Sequence, residues 1–247
     1  MNELNKTRES VKEGEEIVSQ TLKILGNVHE NSIIEASTLH VEGTTLEDST
    51  QFSRFATINK HQGKLRCHEA QINVLEGGEV HATTLKIDSA FSGDIYAQDV
   101  IINNAHSDLK VFASNSITIN NILGINNTLT INYKDIPILD SKLDLIEDDL
   151  NTLNSQLKEA LKHNLSEIQN IKQKILNLTS EKNSILNSYK RAKIIITNGL
   201  RANNTIKFFV HDKQLSFSSQ DENHSTFKLL IDANTITLFP TQEQIFI

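Results

Sequence analysis

"GEVHATTLKI" at residues 78–87 and "GDIYAQDVII" at residues 93–102 state one pattern twice, 15 residues apart. Each reads glycine, acid, β-branched residue, ring, alanine, two polar residues, apolar residue, any residue, isoleucine. Gly63, Gly78 and Gly93 share the spacing, and Asp108 stands next in the row. Four positions later comes a small residue, Cys67, Ala82 or Ala97, continued with shifted spacing by Ala113 and Asn127. Just before it stand Arg66, His81, Tyr96, Phe112 and Asn126, and before those Leu65, Val80, Ile95, Val111 and Ile125.

A fixed period of this length marks a stacked repeat. The apolar runs are short, alternate with period two and are rich in Ile, Val and Thr, which reads as strand. Asparagine-glycine and aspartate-glycine hairpin pairs are missing between them. The pattern therefore predicts a parallel β-solenoid of about 15-residue coils, with equivalent residues stacked ~4.8 Å apart. The small row marks an inward corner, and about seven coils fit between residues 17 and 134. An antiparallel sandwich is the competing fold, but it has no need of the small-residue row.

Punctuation changes downstream. Seven of the nine glycines lie between Gly26 and Gly124, whereas residues 138–198 contain neither glycine nor proline. Leu139, Leu143, Ile146, Leu150, Leu153, Leu157 and Leu161 follow steps of four and three. Ile168, Ile171, Ile175, Leu178, Ile185 and Tyr189 resume after a phase break at Lys162-His163-Asn164. Such spacing is a heptad-like seam on long helices, and Pro137 suits a helix start. Asp144, Glu147, Asp148 and Asp149 early in the first arm face Lys190, Arg191 and Lys193 after the second if the arms pair antiparallel. One uninterrupted helix that dimerises in parallel is the alternative. The expected organisation is a polar tail over 1–16, the solenoid over 17–134, an antiparallel coiled-coil hairpin over 135–190 and a β segment over 191–247 that completes and caps the solenoid. The fold class is mainly β with an α insertion.

The chain carries 24 basic and 31 acidic residues, a net charge of −7, which argues against nucleic acid or an anionic membrane as a bulk partner. No apolar stretch is long enough to span a bilayer. The polar start "MNELNKTRESVKEGEEI" lacks a signal-peptide core. One cysteine excludes an intramolecular disulfide and suits a reducing, cytoplasmic setting.

Candidate chemistry is thin. His81 has Arg66 and Tyr96 as neighbours in its column, not further metal ligands, and reads as a solvated outer-face residue. His61 with Cys67-His68-Glu69 looks like a metal site, but Cys67 holds the small inward position. No catalytic, cofactor or metal residues are expected, and the chain reads as a non-enzyme. The stripe Arg66, His81, Tyr96 and Phe112 is the candidate protein-interaction surface, because rings and arginine are over-represented in interfaces. The competing reading is four outer residues that support the sheet by stacking.

The order of parts resembles the flagellar assembly protein A (FapA) family. The resemblance is carried by "LKILGNVHENSIIEASTLHVEG" (22–43), the two units above, "SNSITINNILGINNTLTINY" (114–133), the insertion 138–190 and "KIIITNGLRANNTIKFFV" (193–210). It implies a right-handed β-helix without the family's usual N-terminal domain. It also implies a cytoplasmic, non-enzymatic scaffold that binds other proteins and serves flagellar assembly or its regulation. Homo-oligomerisation is left open. Two other functions compete: a filament former that stacks end to end like the bactofilins, and a carbohydrate-active β-solenoid enzyme.

Overall fold

A computed structural model describes residues 5–163, 167–187, 191–210, 213–221, 225–232 and 235–242. The chain winds as a β-solenoid of about seven turns. Strands β1 (Asn5–Arg8), β2 (Glu16–Ile24), β3 (Ile33–Thr45), β4 (Thr50–His61), β5 (Lys64–Arg66), β6 (Glu69–Ala105), β7 (Leu109–Ile122) and β8 (Thr128–Ile131) each pair in parallel with the next coil. The reason is repetition: each coil returns the same alternation to the same place, so apolar residues stack on apolar residues. Leu22, Leu39, Ala56 and Ala70 form one inward column, and Ile24, Val41, Ile58 and Ile72 another, all buried.

Three expectations are corrected. Residues 5–8, read as tail, form β1, whose four residues lie beside Thr21–Ile24; their polar side chains hid a strand that is exposed on its outer faces. The coil is also not of one length. Leu65 faces Val80, 15 residues on, but Gln51 faces Leu65 at 14, Ile34 faces Gln51 at 17 and Val111 faces Leu129 at 18. Corners absorb the difference, with register shifts between Val41 and Thr44 and between Ala97 and Asp99. Consequently Phe112 stacks under Thr130 rather than Asn126, and Ala113 under Ile131 rather than Asn127.

Glycine is required where adjacent coils approach closely. Gly78 has φ of +74°, and a Cβ there would lie 2.4 Å from the Gly63 carbonyl oxygen of the coil below. Both the backbone angle and the space forbid a side chain. Elsewhere the corners are tied by amide ladders: Asn73 Nδ2 donates to Asn59 Oδ1 (3.1 Å), Asn103 to Asp88 (3.0 Å) and Asn120 to Asn103 (2.9 Å).

The helices emerge from a single corner. In one coil Ala113 and Ser116 are separated by two residues; in the next, their partners Ile131 and Lys193 are separated by residues 132–192. Strand β9 (Lys193–Ile196) then resumes beside β7, and β10 (Thr205–Val210) lies parallel to β8. Within the insertion stand helices α1 (Pro137–His163) and α2 (Ile168–Leu186). There are thus two helices and not one; Lys162 and His163 of the expected turn belong to α1, while Asn164 of that turn, and Tyr189 and Lys190 downstream, lie outside the described residues. After β10 the direction of pairing changes. Strand β11 (Lys213–Ser218) pairs antiparallel with β10, β12 (Ser225–Asp232) antiparallel with β9, and β13 (Thr235–Gln242) antiparallel with β12. No helix among the described residues is long and apolar enough to cross a membrane.

His61 is fully buried at a corner, its Nδ1 2.5 Å from Thr45 Oγ1 of the coil below. Burial lowers its pKa from the ordinary 6.5 to about 4. Between these values the unfolded chain binds a proton that the folded chain excludes. Stability present above pH 6.5 is therefore lost progressively down to about pH 4 and is constant below it. The contribution is ~3 kcal/mol. Chemical denaturation at pH 7 and pH 4.5 should show a loss that His61→Leu largely abolishes; an identical pH dependence in the variant would show that His61 is not its source.

Candidate interaction surface

Strand alternation points Arg66, His81, Tyr96 and Phe112 outward from one face, and the parallel register puts them on successive coils. Three of them form a ladder. The His81 and Tyr96 rings lie 4.7 Å apart and 10° from parallel; Tyr96 and Phe112 lie 5.0 Å apart and 8° from parallel. These spacings are those of the strands themselves, so the rings stack because the backbone delivers them in register. Each such contact adds about 0.5–1.5 kcal/mol beyond area burial. Arg66 stands at the end of the ladder, exposed.

The Tyr96 and Phe112 end of the ladder is partly covered by the chain's own insertion. A 3-10 turn at Tyr133–Asp135 leads out of β8, capped by Asn132, whose side chain accepts from the Lys134 amide. Tyr133, Ile136, Leu139 and Leu143 form a buried apolar cluster against which Tyr96, Phe112, Ile185 and Leu186 pack. The rings expected to meet an external partner thus seat the root of both helices. The reading of His81 as a solvated residue is corrected: it is 8% exposed, with Nε2 2.5 Å from Glu79 Oε1 and its face under Tyr96. Burial, then the negative charges of Asp94, Glu79 and Asp135, raise the Tyr96 pKa above its ordinary value. It therefore stays neutral at physiological pH and makes a poor base.

The helical seam is filled unevenly. Leu139, Leu143 and Ile146 are buried near the root, while Leu150, Leu153, Leu157, Ile168, Ile171, Ile175, Leu178 and Ile185 are half-buried. Leu161 lies outside it at 52% exposure, and Ala160 takes its place at 3%. The steps 157–161 and 157–160 both suit a helix face, and leucine is the more apolar choice on paper. Lys142 pairs with Glu181 at 2.7 Å and Lys182 Nζ donates to Glu147 at 2.6 Å, joining the beginning of α1 to the end of α2.

The thiol-imidazole cluster does not assemble. Cys67 points inward, and burial pushes its thiol up to about 12, leaving it protonated and unreactive at neutral pH. His68 and Glu69 are exposed on the other side, and His61 sits in a separate corner beside Thr45. Among the described residues no group of three or more His, Cys, Asp and Glu converges as metal ligands do.

Phe52 was not legible as part of the surface. It stands one coil before Arg66 in the same column, with Glu35 and Val18 below it. The 14-residue and 17-residue coils hide this from a fixed 15-residue alignment. Val18, Phe52, Arg54, Arg66 and Ile138 of α1 border a groove of about 480 Å³ where the ladder's own column continues beyond the cluster.

Tyr96→Ala with Phe112→Ala should loosen the root of the insertion without unwinding the coils. A loss of ~2 kcal/mol in that cluster is roughly a thirtyfold rise in the open fraction. Limited proteolysis should therefore cut within residues 132–192 much faster while the strand circular dichroism persists; an unchanged rate would show that the rings do not hold the helices.

No protein-family model, no curated protein and no solved structure matches this chain.

Proposed function

We propose that this protein is a non-enzymatic interaction scaffold, acting in the cytoplasm through protein binding in flagellar assembly or its regulation. In this reading the coils of about 15 residues form a right-handed β-helix, and α1 and α2 form an antiparallel coiled-coil hairpin that projects from it. Right-handedness accords with the strong general preference of parallel β crossovers. The ion pairs Lys142–Glu181 and Glu147–Lys182 support the antiparallel hairpin.

One observation carries the scaffold reading: the insertion is anchored to the coils by a stacked-ring platform, yet carries exposed apolar residues. Leu145 and Leu176 are about two-thirds exposed on α1 and α2. A preordered projection with apolar side chains in solvent loses little ordering entropy when a partner covers it. The reading against an end-to-end filament rests on β11, β12 and β13, whose antiparallel pairing departs from the parallel register such stacking extends.

The test follows from the corner. Residues 132–192 are replaced by the two residues, Ser114-Asn115, that turn the same corner one coil below. Both versions serve as bait in affinity purification from the native cell. Partners should be captured by the full chain and lost with the insertion, and flagellar components should be among them. The same partners on both baits would reject the insertion as the binding element; captured partners without flagellar components would reject the flagellar assignment.

A further inference from the structure

Two surfaces on this chain have complementary chemistry, and neither is satisfied within it. The first is the groove bordered by Val18, Phe52, Arg54, Arg66 and Ile138. Val18 is 65% exposed, Phe52 39% and Ile138 60%. Arg54 lies over the Phe55 ring at 5.2 Å, and among the described residues neither its guanidinium nor that of Arg66 has a carboxylate partner. Two arginines thus border exposed apolar side chains in a chain of net charge −7. Glu35, also at the groove, forms no ion pair with either.

The second surface is the outer side of α1. Ile138 and Leu145 are seven residues apart, hence on one face, about 10 Å along the helix from each other. Asp148 and Asp149 follow Leu145 at three and four residues, so they flank it on that face. Leu145 is 66% exposed and both aspartates are exposed without an ion pair among the described residues. Glu147, by contrast, points elsewhere and is engaged with Lys182.

We propose that these surfaces meet in a symmetric dimer of this chain. The α1 face of one copy enters the groove of the other, and the reverse contact forms at the same time. Leu145 covers Phe52 and Val18, while Asp148 and Asp149 pair with Arg54 and Arg66. Ile138 belongs to both surfaces and so lies nearest the two-fold axis. A two-fold contact needs one self-complementary patch, and an acidic apolar face adjoining a basic apolar groove is such a patch. The groove also continues the column whose other half the insertion already covers, so the second copy extends an interface the chain makes with itself. The proposal names a partner for the scaffold reading and rests on that reading only in being a protein contact. A monomer in solution would refute it while leaving capture of other proteins to be measured separately.

Sedimentation across a wide concentration range tests it, using two charge-reversed chains. One carries Arg54→Glu and Arg66→Glu; the other carries Asp148→Arg and Asp149→Arg. All four positions are exposed, and circular dichroism checks that both variants fold. The wild type should show a reversible monomer–dimer equilibrium that weakens with salt. Each variant alone should associate at least about tenfold more weakly, and their equimolar mixture should recover the dimer, because both reversed contacts then match. A wild type that stays monomeric overturns the proposal. So does a dimer that neither variant weakens, or a mixture no more associated than its components.

Discussion

Parallel pairing of each coil on the next is the constraint on which everything else here depends. Once Leu22 lies under Leu39 and Ile24 under Val41, every side chain is repeated above itself at the strand spacing. The consequence differs by chemistry. Aliphatic residues give a continuous core. Amides give ladders, such as Asn103 to Asp88 and Asn120 to Asn103. Rings give the stack of His81, Tyr96 and Phe112. Like charges repeated in this way would repel, and the outer columns accordingly mix their signs: Glu35, Phe52, Arg66 and His81 occur in succession.

The same constraint decides how helices can be inserted. The chain leaves at Ile131 and must return at Lys193, positions that two residues bridge in the coil below. Three peptide units span at most about 11 Å, whereas α1 with its 27 residues is ~40 Å long. A single helix would end far from its required re-entry point. A second helix, α2, precedes the re-entry, and the ion pairs Lys142–Glu181 and Lys182–Glu147 tie the beginning of α1 to the end of α2. Long insertions cost little extra closure entropy, so the corner tolerates this one provided something holds its root. The cluster of Tyr133, Ile136, Leu139 and Leu143 on Tyr96 and Phe112 does so.

How much of this was legible follows from where the physics is periodic. The parallel coils were readable from Gly63, Gly78 and Gly93, because burial on one face imposes alternation that a sequence cannot hide. The helices were readable from the four-and-three spacing after Leu139. What was lost lies at departures from period. The strand at Asn5–Arg8 has no apolar inward pair to betray it. Phe52 falls out of alignment because its coil is one residue short. The cover over Tyr96 comes from Tyr133, Ile136, Leu139 and Leu143, about 40 residues on in sequence, and no local pattern encodes which outer face a distant insertion will occupy. Ala160 is buried where Leu161 is exposed, and the four-and-three spacing alone did not distinguish them.

The outer ring column therefore has two roles, divided by position along the stack. Over Tyr96 and Phe112 it is an internal seat, half-buried against the cluster that holds Ile136 and Leu139. Over Phe52 and Val18 the same column is open, and the arginines of successive coils border it without counter-charges. Burying the rings at one end fixes where α1 starts, and hence where Ile138 stands relative to the open end. Because both halves are spaced by one backbone register, the helical arm and the groove beside it hold a fixed relation. A change that loosened Tyr96 and Phe112 would therefore disturb the groove's wall at Ile138 as well as the arm, coupling the two surfaces through the ladder that neither exposes.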